Sequence, residues 1–179
     1  LKGRLINFLK NSGTRPLKDN VRESIFNILK HSNLVKTKIK NSNILDLYSG
    51  TGSFGIECIS RGAKKVTFVE NHKNSFSILN ENLISLSILN KSYISNNKVE
   101  NILNKDIKDK FHIIFLDPPF KDITFIQNLK LIKEKKIFMK EHMVIVHRDR
   151  KAKDNYENLI EIIETKKYGR SKIIFGIFI

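Results

Sequence analysis

The sequence predicts an α/β fold: a mostly parallel sheet with helices on both faces, closed by an antiparallel C-terminal edge hairpin and preceded by a small N-terminal extension. Three observations predict it. Short apolar runs alternate with helical patterns through most of the 179 residues, which implies right-handed crossovers and a parallel sheet. The first of these runs, Asn43-Ile44-Leu45-Asp46-Leu47, leads into the glycine-rich turn Gly50-x-Gly52-x-x-Gly55 and then into a helical pattern. The chain ends in two alternating stretches around Tyr168-Gly169-Arg170, the pattern of a hairpin.

Residues 1–18 are basic and contain Gly3, Gly13 and Pro16, with a short candidate strand over residues 5–9. They are expected to form an arm or β-ribbon laid against the main domain, residues 19–179. A helix is expected over residues 20–31. Asn20 and Glu23 have the spacing of a capping box, and Val21, Ile25, Ile28 and Leu29 form one apolar face that excludes Arg22. After a basic connection, strand one occupies residues 43–47, and the helix behind the glycine turn runs to about Ser60. Gly62 stands where a C-cap glycine is expected. Strand two covers residues 65–69 and ends at Glu70. A helix over residues 73–89 carries Phe76, Leu79, Leu83 and Leu86 on one side. Strand three covers residues 92–95, and a helical turn residues 99–103. Strand four, residues 112–116, is apolar almost throughout, as a strand covered on both faces should be. It stops at Asp117-Pro118-Pro119-Phe120, because two prolines cannot continue a ladder. A helix over residues 123–133, a fifth strand over 143–147 and hairpin strands over 159–167 and 171–179 complete the expectation.

Composition narrows the function classes. No apolar run approaches the roughly 18–20 residues of a membrane helix, and no signal peptide is visible. The first residue is Leu, which places the expected start upstream. The single cysteine, Cys58, excludes a disulfide framework or thiolate metal site and suits a reducing cytoplasm. The five histidines show no paired ligand spacing, so no metal is expected, and each is read as surface or structural. No Ser–His–acid set stands out. The balance of 33 basic against 18 acidic residues, a net charge of +15, favours a polyanionic partner such as nucleic acid.

The glycine spacing alone fits several nucleotide cofactors. Its context is more selective. Glu70 follows about 20 residues on, at the end of strand two, where an acid accepts from ribose hydroxyls. Asp46, just before the turn, would repel a diphosphate. It suits a ligand carrying an ammonium group, such as S-adenosylmethionine, which has no phosphate. Asn97, after strand three, stands where a polar group can meet an adenine.

The second loop has a chemistry of its own. The lone pair of an exocyclic amino group is delocalised into its base, so methylation requires the nitrogen to be drawn toward sp³ geometry. The Asp117 carboxylate and the Pro118 carbonyl can each accept one N–H. Pro118 and Pro119 fix the carbonyl's direction and remove competing donors. Phe120 can stack on a base that has left its helix. The methylated nitrogen loses its proton readily, so no strong general base is required.

Asp46 to Gly55 resembles motif I of the class I S-adenosylmethionine-dependent methyltransferases, and Asp117 to Phe120 resembles their (Asn/Asp)-Pro-Pro-(Phe/Tyr) amino-methylating motif. Arg15-Pro16, Asp19, Val21-Arg22-Glu23 and Phe26-Asn27 resemble the opening of the RsmD family, bacterial enzymes that methylate the N2 amino group of one guanine in 16S ribosomal RNA. Leu17 stands where that family's opening has threonine. Lys167-Tyr168-Gly169 with Lys172-Ile173 resembles its last hairpin. The resemblance runs over about residues 3–178 and implies a Rossmann-like class I methyltransferase fold. It implies a cytoplasmic monomer acting on 16S rRNA in the 30S subunit or an assembly intermediate. It also implies that Arg15 and Arg22 lie near substrate or cofactor, and that Lys2, Arg4 and Lys18 touch phosphates. Two other readings stay open here: an adenine N6-methyltransferase on DNA or RNA, and a catalytically idle RNA-binding assembly factor.

Overall fold

The computed structural model describes residues 6–7, 17–33 and 35–179. A helix α1 (Asp19–His31) precedes β1 (Asn43–Leu47), α2 (Ser53–Ser60), β2 (Lys65–Val69) and α3 (Lys73–Ser85). There follow β3 (Ser92–Ser95), α4 (Val99–Leu103), β4 (Phe111–Leu116), α5 (Phe125–Lys135) and β5 (Phe138–Asp149). The hairpin is β6 (Ile160–Tyr168) and β7 (Ser171–Phe178). All seven strands form one sheet in the order β3-β2-β1-β4-β5-β7-β6. The first five run parallel, and β7 joins β5 antiparallel with β6 outside it.

Period-two alternation divides the core between the sheet's two faces. Ile44, Ile113 and Ile145 meet α1, α2 and α3 through Val21, Ile25, Phe54, Ile56, Leu79 and Leu83. Leu45, Ile114 and Val144 meet α4 and α5 through Ile102, Leu103, Phe125, Leu129 and Ile132. Chain order reverses at β1, whose neighbours are β2 and β4. The crevice at the carboxyl ends of β1 and β4 is therefore the topological switch point, where such sheets bind ligands.

Several local expectations change. The Asn20–Glu23 capping box does not form. The chain enters α1 through buried Leu17 and extended Lys18, so Asn20 lies already inside the helix. Asp19, one residue earlier, instead receives the Arg22 guanidinium at 2.8 Å. α3 ends at Ser85 because Ser87 takes a φ of 56°, and a 3₁₀ turn (Leu89–Lys91) follows. α5 starts two residues late because the Asp122 carboxylate accepts from the Thr124 backbone N–H at 2.7 Å and closes a turn in front of it. β5 begins earlier than expected, beside a register shift between Phe111 and Ile113. The predicted strand over residues 5–9 lies mostly outside the described residues, as do Lys2, Arg4 and Arg15. No described helix is long and apolar enough to cross a membrane.

Candidate active site

β1 delivers Asp46 fully buried at the N-terminus of α2. Its Oδ2 accepts from the Gly55 N–H at 3.0 Å, while Oδ1 is buried with no hydrogen-bond partner among the described residues. Burial pushes the Asp46 carboxyl well above its ordinary range, opposed by the Gly55 N–H and reinforced by the negative charges of Asp117 and Glu70. The three glycines have different tasks. Gly50 has φ +55°, and a Cβ there would meet nothing within 4 Å, so its backbone borders open space. Gly52 has φ +88°, and a Cβ would lie 2.4 Å from Leu79. Gly55 lets α2 lie against the sheet: a Cβ would sit 2.2 Å from the Phe68 ring. Gly52 and Gly55 thus build the turn, and Gly50 faces the crevice.

Glu70, after β2, accepts from the Gly50 N–H and from the His72 N–H, each at 2.7 Å. Its carboxylate ties the glycine turn to the end of β2. Asn97, after β3, is half-buried and donates to the Ser95 hydroxyl at 3.1 Å. It lines a cavity of about 180 Å³ with Tyr48, Val69, Asn71, Val99 and Pro119. Asp46, Gly50, Glu70 and Asp117 are not among the cavity's walls. Asn97 and Pro119 are the predicted site residues that it brings together.

The two loops meet through backbone. β1 and β4 pair with Leu47 opposite Leu116, and the Asp117 N–H donates to the Leu47 carbonyl at 3.3 Å. Pro118 is buried, Pro119 exposed and Phe120 half-buried. Among the described residues no hydrogen bond reaches the Pro118 carbonyl. The Asp117 carboxylate is held at Oδ1 by His147 Nδ1 at 2.7 Å.

Sequence reasoning missed three supports. His147, on β5, is structural rather than surface: it is buried against Asp117, with the Phe120 ring edge-on at 5.4 Å, a contact that the sequence does not show. Arg148, the next residue and so on the opposite face, is fully buried. It donates to Asp154 through Nε and Nη2, at 3.1 and 3.0 Å, and through Nη1 to the Pro119 carbonyl at 3.0 Å. Its guanidinium lies 4.3 Å from the Phe125 ring centroid. Tyr48, between the turn and the cavity, holds a φ of 58° while Asn128 on α5 donates to its hydroxyl at 2.8 Å. Burial raises the Tyr48 phenol. A bulky residue in the left-handed region is uncommon and is the nearest thing to a local signal. It shows only in the backbone.

Among the described residues, the buried side-chain polar atoms without a partner are Asp46 Oδ1, Ser49 Oγ and His147 Nε2. All three lie in or beneath these two loops, and buried atoms of this kind call for an explanation. No described group of three or more His, Cys, Asp and Glu side chains gathers as a metal site. Lys18 is exposed at the entry to α1, and half-buried Arg22 is engaged with Asp19.

A parallel sheet reversing at β1, with a glycine turn after β1 and an Asp-Pro-Pro-Phe loop after β4, defines the class I methyltransferase fold. The comparisons agree and go further. The chain belongs to the RsmD family: residues 1–177 match the family described as Conserved hypothetical protein 95. A curated relative, the Ribosomal RNA small subunit methyltransferase D of Buchnera aphidicola subsp. Acyrthosiphon pisum, is 34% identical over 151 residues, 84% of this chain and 75% of that protein. A solved Streptococcus pyogenes protein, described as conserved hypothetical, superposes with a TM-score of 0.76 at 25% identity, covering 87% of this chain and 94% of that one. A Salinibacter ruber RNA methyltransferase, solved with S-adenosyl-L-homocysteine, shares the fold at a TM-score of 0.64 and 12% identity, over 90% and 92% of the two chains.

Proposed function

We propose that this protein transfers a methyl group from S-adenosylmethionine to the exocyclic N2 amino group of a guanine in 16S ribosomal RNA, in the 30S subunit or an assembly intermediate. The observation that carries the reading is the adjacency of the two loops, joined by the hydrogen bond from Asp117 N–H to the Leu47 carbonyl.

The residues of the first loop fit such a donor. Among the described residues Asp46 Oδ1 and Ser49 Oγ are buried polar atoms with no protein partner, Gly50 leaves its side of the turn open, and the neighbouring cavity combines apolar walls at Val69, Val99 and Pro119 with amides at Asn71 and Asn97 and charged groups at Lys98, Glu100 and Asp122. Asp46 would hold the ammonium group, the remaining lone pairs of Glu70 the ribose hydroxyls, and Asn97 the adenine. The bound donor supplies an electrophilic methyl group. Asp117 and the Pro118 carbonyl orient the guanine amino group toward it, each accepting one N–H, and this pre-alignment supplies much of the rate. Phe120 stacks on the extruded base, and Lys18 before α1, Arg22 within it and the N-terminal basic residues Lys2, Arg4 and Arg15 attract the RNA backbone.

The test offers 30S particles, naked ribosomal RNA and DNA, prepared from a strain lacking the enzyme, with labelled S-adenosylmethionine. Mass spectrometry then identifies the modified nucleoside. N2-methylguanosine from the wild type and none from Asp117→Ala is the expected result. N6-methyladenosine or its deoxy counterpart would replace guanine by adenine. Absence of saturable cofactor binding in calorimetry would reject the enzyme altogether.

A further inference from the structure

We propose that His147 is a positioning residue that sets both halves of the base-binding loop, orienting the Asp117 carboxylate through one ring nitrogen and bracing Phe120 with the ring itself. The inference rests on the methyltransferase reading above and adds to it a residue outside the Asp-Pro-Pro-Phe motif.

His147 lies on β5, an interior strand paired to β4 on one side and to β7 on the other, where it stands opposite Ile173. It follows Val146, the last residue of β5 paired to β4, and is itself paired to β7, a better platform than a loop. Asp117 is less constrained, because it follows the last residue of β4 and its side chain is 22% exposed. A carboxylate free to turn about its own bond presents either oxygen in any plane. One hydrogen bond of 2.7 Å to Oδ1 removes that freedom and leaves Oδ2 to accept from the amino group.

The donor must be the imidazole, since an ionised carboxylate only accepts. Among the described residues Nε2 is buried without a partner, so Nδ1 is the nitrogen through which the ring holds the loop. The same ring meets Phe120 edge-on, with planes at 78°. One side chain thus sets the spacing between the group that accepts the amino protons and the group that stacks on the base.

The two nitrogens can be separated by substitution in the full chain. Asparagine can place an amide N–H near the position of Nδ1, and glutamine near that of Nε2. We expect His147→Ala to lower kcat by about 10- to 100-fold, the scale of a lost hydrogen bond to a charged group, with the calorimetric affinity for S-adenosylmethionine unchanged. His147→Asn should recover the part of kcat that depends on the Asp117 hydrogen bond, with the loss of the ring contact to Phe120 remaining, and His147→Gln should not. The Asn–Gln contrast holds even if the alanine variant fails to fold. Wild-type kcat in His147→Ala, or equal recovery by both amides, overturns the inference. A wild type that neither binds the cofactor nor methylates RNA overturns the parent reading instead, which keeps the two failures apart.

Discussion

The turn after β1 and the loop after β4 lie side by side, yet they are held from different distances along the chain. The first is held at its backbone N–H groups by carboxylates on its own strand and at the end of the next. Asp46 and Glu70 direct their carboxylates onto the N–H groups of Gly55, Gly50 and His72, and Gly52 and Gly55 are needed because side chains fill the space a Cβ would take. The second is held by side chains of β5, His147 on one face and Arg148 on the other. A glycine turn tolerates little change in its own residues. A loop held by neighbours is exposed to change at positions far from it in sequence.

The largest effect that can break this contrast is at Arg148. Arg148→Met would leave the buried Asp154 carboxylate unpaired, and losing one partner of such a pair costs about 3–5 kcal/mol. A denaturant titration measures it, and Asp154→Leu added to the same chain should restore part of the loss. Wild-type stability in the single variant would mean that the second loop does not depend on this pair.

Next comes Asp117→Ala. It removes a half-exposed group that we assign to the reaction, so methyl transfer should fall by roughly 10²- to 10³-fold while the melting temperature stays near that of the wild type. A parallel collapse of stability would make Asp117 a structural residue and equalise the two loops.

Two glycines sharpen the first half. Gly55→Ala drives a methyl group into Phe68 and Val66 and should cost about 1–3 kcal/mol by overpacking. Gly50→Ala meets no atom and carries only the left-handed backbone penalty, about 1–2 kcal/mol. Its side chain enters the crevice, so cofactor affinity should fall more than stability. Thermal melts and calorimetry on the two variants read the difference, and matching profiles would deny the division of labour.

The smallest effect is at Asp46. Its carboxyl is raised in the folded state above its unfolded value of about 3.9. Folding therefore favours the protonated form. The associated stability is complete below about pH 4 and is lost as pH rises through the folded-state value. Asp46→Asn keeps an oxygen for the Gly55 N–H without that dependence, so its melting temperature should gain on the wild type as pH increases from 4. The same variant should bind S-adenosylmethionine more weakly, since the amide offers no charge to an ammonium. A pH series of melts and one titration check both signs.

How much of this was legible depended on distance along the chain. β1, β2, β3 and α4 fall on their expected residues; β1 and β2 are short apolar stretches with turn residues at their ends. Gly50, Gly55 and Glu70 were visible for the same reason: the turn, its helix and the following strand are one contiguous unit. The Asn20–Glu23 spacing misled because a capping box needs Asn20 as the N-cap, and with Leu17 buried the N-cap is Lys18, two residues sooner. His147 and Arg148 carried no readable signal. Their roles exist only once β5 is laid beside β4 and brings residue 147 within reach of residue 117. Tyr48 was hidden likewise, since its anchor Asn128 is 80 positions away.

The sheet order has a consequence for the timing of synthesis. β7 leaves the ribosome after β6 yet takes the inner place against β5. Until its residues emerge, β5 keeps a bare edge at Val144–Asp149, the stretch that carries His147 and Arg148. A nascent chain lacking residues 171–178 can already possess its glycine turn, but it has no completed frame for Asp117. The carboxylates that hold the turn after β1 and the N–H groups they accept from thus all precede residue 73 in the chain, whereas the strand that frames the loop after β4 is covered on its other edge only by the last strand of the hairpin.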